Sequence, residues 1–194
     1  MTNVTAQTRT RLTDRWPTAA AIIAGAGAIA VIASLDREVD LFGPVVVTMA
    51  SIYLMAFALG RQWTVWIALA VLSTVVSVLQ VLRLAGVLPV DPAIGMSIVV
   101  VLLWLWTVAK RRFTEAATFS LQTAGMVAFG AVTLLCVAIT PRWGTILIGI
   151  GFLAHGLWDA YHLAANKVVQ RSYAEFCGVL DLLVGTALIV AALT

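Results

Sequence analysis

The sequence predicts an all-α integral membrane protein: a seven-transmembrane helix bundle with the N-terminus cytoplasmic and the C-terminus outside. Three observations predict it. Of the 194 residues, 62% are hydrophobic and only 11% charged, where a soluble domain carries about 25% charged residues. Mean hydropathy is +1.03. The apolar residues also fall into seven runs separated by short polar breaks, each near the ~20 residues that a helix needs to cross a bilayer. Each run is apolar around its whole circumference, and in lipid only a helix satisfies such a backbone.

The elements follow in order. Residues 1–16 form a cytoplasmic arm carrying Arg9, Arg11 and Arg15. The arm resembles the start of a signal sequence. The apolar run behind it, Thr18 to Leu35, is longer than a cleavable segment of about 7–15 residues, so it reads as an uncleaved first span over 17–35. Asp36 to Asp40 is a charged loop, and Pro44 starts the second span, 44–60. Gly60-Arg61-Gln62 is the weakest break, before span three at 63–86. Leu88-Pro-Val-Asp-Pro92 is a turn leading to span four, 93–109. Lys110, Arg111 and Arg112 form a basic stop, span five covers 116–140, and Pro141 ends it. Spans six and seven cover 144–166 and 173–193, with Ser172-x-x-Glu175 reading as a capping box at the start of the last.

Charge sets the orientation. Nine Lys and Arg residues fall at one end: Arg9, Arg11, Arg15, Arg61, Lys110, Arg111, Arg112, Lys167 and Arg171. Three fall at the other: Arg37, Arg83 and Arg142. The positive-inside rule makes the first end cytoplasmic. The net charge of +3 is small and its basic residues sit between apolar runs, which argues against a nucleic-acid partner. Cys136 and Cys177 lie within apolar runs with no CxxC pattern, so no disulfide framework is suggested. No soluble domain, long linker or internal repeat is visible, and the odd number of spans argues against a two-halves transporter.

The chemistry is concentrated in His155-Gly-Leu-Trp-Asp-Ala-Tyr-His162, which holds both histidines of the chain and a carboxylate inside an apolar run. At about 100° per residue, His155, Asp159, His162 and Asn166 occupy one arc of roughly 60°. Lipid would penalise such a stripe, so it faces protein or water. Cys177 and Asp181, four apart, make a matching face on span seven. Asp159 lies ~10 Å below the cytoplasmic edge of span six and Asp181 ~12 Å below that of span seven, at 1.5 Å per residue. Gln122 of span five and Tyr53 of span two fall in the same layer by the same count.

Two carboxylates at that depth cannot both remain charged and unpaired. Proton sharing, pairing with imidazolium and a bound cation are the three resolutions. Arg83, at the outer end of span three, cannot help; with Gln80 and Asp91 it makes an outer polar patch or simply snorkels. The metal reading draws its ligands from His155, Asp159, His162, Asp181 and Cys177: His155 with Asp159, or Asp159 with His162, joined by Asp181 and Cys177 across the interface, or a dinuclear site bridged by Asp159, for a divalent transition metal such as zinc, iron or manganese. Asp159 and Asp181 are then the candidate catalytic groups. His155 and His162, seven apart, are about 10.5 Å apart along the axis. They are poorly placed to share one ion or to bracket a haem. The structural reading has Asp159 bonding a histidine of its own helix, His162 half-solvated near the interface, Trp158 as a packing aromatic and the cysteines as small buried hydrophobes.

His155-x-x-Trp158-Asp159-x-x-His162, with Asn166 and then Cys177-x-x-x-Asp181, resembles the C-terminal signature of small bacterial multi-span membrane proteins grouped as a domain of unknown function. The resemblance covers about residues 150–190. Those proteins often carry a second histidine directly after the last, where this chain has Leu163. It implies a site without implying a reaction.

Three functions compete on these grounds. The first is a metal-binding enzyme or binding protein in the cell membrane, acting on a lipid or other hydrophobic small molecule. The second is a proton- or ion-coupled carrier using the His/Asp cluster as a relay. The third is an accessory subunit of a larger membrane complex, or a homo-oligomer, with the stripe as a hydrogen-bond lock.

Overall fold

The computed structural model describes residues 15–35 and 38–194. Within them lie seven helices: α1 (Trp16–Ser34), α2 (Glu38–Leu59), α3 (Val65–Leu84), α4 (Pro92–Ala109), α5 (Ala116–Ala138), α6 (Pro141–Ala165) and α7 (Arg171–Leu193). Single 3-10 turns, Gln62–Thr64 and Arg112–Thr114, lead into α3 and α5. All seven helices are long and apolar enough to cross a membrane. Arg9, Arg11, Asp36 and Arg37 lie outside the described residues.

Several predicted boundaries move, each for a local reason. The charged stretch Glu38 to Asp40 is not loop but the first turn of α2, where two carboxylates complement the positive end of the helix dipole. Pro44 therefore sits inside α2 rather than starting it. A proline there removes one backbone donor and disturbs the ladder. The hydroxyl of Thr133 on α5 is wedged into this region: Val47 N–H donates to Thr133 Oγ1 at 3.0 Å, and that hydroxyl donates to the Gly43 carbonyl at 3.0 Å. A side chain inserted between residue i and residue i−4 is a recognised cause of helix bending.

Pro141 opens α6 instead of ending span five, since a first-turn proline loses no hydrogen bond. The capping box at Ser172 is absent. Gln170 precedes α7 with no side-chain cap, and Glu175 instead accepts from Thr18 Oγ1 at 2.5 Å, with Arg15 Nη1 3.9 Å away. Glu175 thus ties α1 to α7. The break at Gly60 holds because Gly60 takes φ +75°, a region that glycine enters without steric cost.

α2 is the central helix. In its apolar stretch 78% of residues are buried, against 22–44% in the other six, and it packs on α3, α4, α5 and α6. α1 lies on α7, and α6 with α7 forms the closest pair in the bundle. That pair meets backbone to backbone. A Cβ on Gly149 would stand 2.9 Å from the Gly185 carbonyl oxygen, and one on Gly185 would stand 2.8 Å from that of Gly149. Small residues at such crossings let membrane helices approach without a water-driven hydrophobic force. Further along the same seam Gly156 faces Gly178. This approach brings the polar faces of α6 and α7 together. Two apolar clusters, one around Leu54, Leu72 and Met96 and one around Ile148, Phe152 and Leu188, flank the polar layer, and Trp158 packs against both.

Candidate functional site

His155, Asp159 and His162 rise from one face of α6 at successive turns, and all three are buried to within 1% of zero exposure. Asp181 projects from α7 across the glycine seam and is equally buried. His155 Nδ1 lies 2.7 Å from Asp181 Oδ2 and 3.4 Å from Asp159 Oδ2. One ring nitrogen thus faces two carboxylates from two helices. The hydroxyl of Tyr53, on the central helix, donates to Asp159 Oδ1. The hydrogen-bonded string Tyr53–Asp159 and His155–Asp181 joins α2, α6 and α7.

The polar layer is finished by the other histidine. His162 Nδ1 is 2.9 Å from the Trp158 carbonyl oxygen, which can only accept, so Nδ1 carries the proton. Nε2 then accepts from the Gln122 amide nitrogen of α5 at 3.1 Å. Both nitrogens are engaged, and the ring is held as the Nδ1–H tautomer. Aromatic rings enclose the whole. Tyr53 stacks at a tilt on His162 with centroids 4.6 Å apart, and its edge meets His155 at 5.5 Å. Phe129 closes the far side of His155 at 5.1 Å. Tyr173 closes on Tyr53 at 5.9 Å.

Four buried polar atoms of this site have no hydrogen-bond partner: His155 Nε2, Asp159 Oδ2, Trp158 Nε1 and the Tyr173 hydroxyl. Buried polar atoms are nearly always paired, so such a cluster of exceptions marks the place chemically. Trp158 owes its position to Gly125 of α5, where a Cβ would stand 2.8 Å from the indole ring.

Of the residues singled out from the sequence, three form one compact group. One ligand atom each from His155, Asp159 and Asp181 lie within 4.8 Å of one another, and among the described residues this is the group able to hold a metal ion. His162 and Cys177 are not part of it. Cys177 is buried one turn from Asp181 and one turn beyond Tyr173. Asn166, predicted to continue the stripe, leaves it. It takes a left-handed conformation, φ 49°, as the C-cap of α6, its N–H donating to the His162 carbonyl. Its own carbonyl accepts from Gln62 at 2.6 Å. Tyr53 and Gln122 are where their depth placed them. Phe129 and Gly125 were not visible as site residues, because an apolar ring or a glycine in an apolar run carries no polar signal, and Tyr173, in the first turn of α7, reads as an interfacial aromatic.

At the other end of the bundle, Gln80, Arg83 and Asp91 do come together. With Asp40 they line a cleft of about 300 Å³. Gln80 donates to the Leu41 carbonyl at 2.7 Å, Arg83 to that of Pro89 at 3.1 Å, and Asp91 caps α4 through Ala93 N–H.

Over the described residues, fold and site together define a protein of seven helices fit for a membrane, with a buried His/Asp/Asp group among them. No family model, curated protein or solved structure matches it.

Proposed function

We propose that this is a multi-pass protein of the cell membrane whose activity is carried by a divalent transition metal held by His155, Asp159 and Asp181. The observation that carries this reading is the pair of fully buried carboxylates facing a single imidazole nitrogen. One imidazolium can balance only one of them, and an unbalanced charge buried away from water costs several kcal/mol. A divalent cation balances both. One nitrogen and two carboxylate oxygens suit zinc, iron or manganese. Three protein ligands is the count typical of a catalytic rather than a structural metal site.

In that state this chain's residues have separate tasks. His155 and the two aspartates bind the ion. Tyr53 orients Asp159 through its other oxygen, in the manner of outer-shell partners that fix a ligand's direction. Asp159 and Asp181 are the groups placed to take or give a proton. The aromatic wall of Tyr53, Phe129 and Trp158 excludes bulk water. Bound metal supplies Lewis acidity toward an oxygen of a hydrophobic substrate.

The test is the metal content of the purified protein by mass spectrometry. About one ion per chain is expected after loading with zinc, iron or manganese, with loss in Asp181→Asn and in His155→Ala. Protein that folds yet takes up none of the three overturns the reading.

A second reading is favoured by the 2.7 Å contact of His155 Nδ1 with Asp181 Oδ2, a hydrogen bond between two groups that can each carry a proton. There the same string passes protons in a coupled carrier. Proteoliposome flux abolished by Asp159→Asn, in protein carrying no metal, would select it.

A further inference from the structure

The basic end of the bundle contains a groove that the metal reading does not use. It has two parts that share Thr118, Lys167 and Val168. The larger, about 300 Å³, is lined also by Phe57, Gln62, Arg112 and Glu115. The smaller, about 90 Å³, runs on between Ala117, Leu121 and Tyr161, with His162 in its lining. The groove is amphipathic along its length. Arg112 stands at the larger part and Lys167 where the two parts meet. An apolar wall leads from the smaller part toward the lipid-facing surface, where Tyr161 is 54% exposed.

Of its two cations Lys167 is unspent and Arg112 is spent in part, on Glu115, which lines the same groove. Lys167 is exposed and pairs with no carboxylate among the described residues. Arg112 lies with its guanidinium 4.7 Å over the Phe57 ring and gives Nη1 to Glu115 at 2.7 Å. Its Nε is nonetheless buried without an acceptor. The backbone around the groove is also held in unusual shape. Gly60, Arg111, Asn166 and Val168 all take φ between 49° and 75°. For Val168, a β-branched residue, this is a genuine outlier, and such conformations persist where surrounding structure imposes them.

We propose that this groove binds an anionic phospholipid, with the phosphate between Arg112 and Lys167 and an acyl chain along Leu121 and Tyr161. Basic pockets between helices at the cytoplasmic face suit lipid phosphate, and the apolar continuation is what separates a lipid from a free anion. The assignment does not rest on the metal. His162, which lines the groove and bonds Gln122 in the polar layer, makes the groove the approach to that layer from the basic end.

The experiment uses the full chain in dodecyl maltoside, titrated with dioctanoyl phosphatidylglycerol, dioctanoyl phosphatidylcholine and inorganic phosphate, with binding read by calorimetry and native mass spectrometry. Saturable phosphatidylglycerol binding is expected, at least tenfold tighter than either comparator and weaker at high salt. Lys167→Gln should weaken it about fivefold and Lys167→Glu further, while Arg83→Gln at the opposite end leaves it unchanged. Lys167 is exposed, so its variants test the proposal even where Arg112→Gln fails to fold. Equal binding of the two lipids, or an unchanged affinity in Lys167→Glu, overturns it. Inorganic phosphate binding as tightly as phosphatidylglycerol assigns the cations to a free anion and overturns the lipid. Metal content is measured on the same samples, so loss of one property is distinguished from loss of the other.

Discussion

Tyr53 is the residue on which Asp159 depends. Asp159 Oδ1 accepts the phenolic hydrogen, and Oδ2 has no hydrogen-bond partner. Removing one hydroxyl therefore strips a fully buried carboxylate of its one hydrogen bond. Tyr53→Phe is expected to destabilise the metal-free protein by about 1–3 kcal/mol, the usual cost of leaving a buried acceptor unsatisfied. The same change should weaken metal binding about 10- to 100-fold, as loss of an outer-shell partner does. Unfolding in mixed micelles checks the first figure, and a competition titration with a chromophoric chelator checks the second. Unchanged values for both would mean that the hydroxyl does not hold Asp159. At this scale the sequence was legible where chemistry is rare. Two histidines and two aspartates in apolar runs announce themselves, and their depth along the helix axis brought Tyr53 and Gln122 into the same layer. Rotation about that axis was not legible. Nothing in the order of residues tells that Cys177 stays outside the His155–Asp159–Asp181 group, or that Asn166 turns away to close α6 in a left-handed conformation.

The pairing of α6 with α7 is the element that makes the site. His155 and Asp181 belong to different helices, and their 2.7 Å contact requires the axes to run close. Gly149 and Gly185 permit that, since each stands where a Cβ would meet the other's carbonyl oxygen at under 3.0 Å. Gly149→Ala is expected to cost about 1–3 kcal/mol, the range for overpacking a close interface. It should lower metal loading as well, because Asp181 would be carried away from His155. Gly27→Ala on α1, where a Cβ meets nothing within 4 Å, is the matched control and should leave both unchanged. Reversible unfolding in micelles and metal analysis read the two quantities, and a neutral Gly149→Ala would show that the seam has room to spare. The seven runs themselves were legible because hydropathy reports lipid exposure directly. The ends were less so. Helix starts at Glu38 and Pro141 were hidden because charge and proline also mark loops, and the hydroxyl of Thr133 wedged beside Gly43 has no local signature at all.

For the whole molecule, sidedness decides what the site can exchange with. Helices joined by short connections gather Arg15, Arg61, Lys110, Arg111, Arg112, Lys167 and Arg171 toward one end, leaving Arg83 and Arg142 toward the other. Lysine and arginine resist translocation, and their bias in short loops sets orientation. The site lies nearer the crowded end: Asp159 is about 10 Å from the C-terminus of α6 by helical rise, and His162 lines the groove beside Lys167. If that end is cytoplasmic, protons, metal and lipid reach the polar layer from the cytoplasmic leaflet, and the Gln80–Arg83–Asp91 cleft faces outward. Two measurements fix this. A phosphatase reporter fused after Thr194 should be active outside the cell. A single cysteine placed at Lys167, in a chain with Cys136 and Cys177 replaced by serine, should react with an impermeant maleimide only in inverted vesicles. A silent reporter with labelling in intact cells would reverse the molecule. The groove would then draw its lipid from the outer leaflet, and the His/Asp site would take its metal from outside.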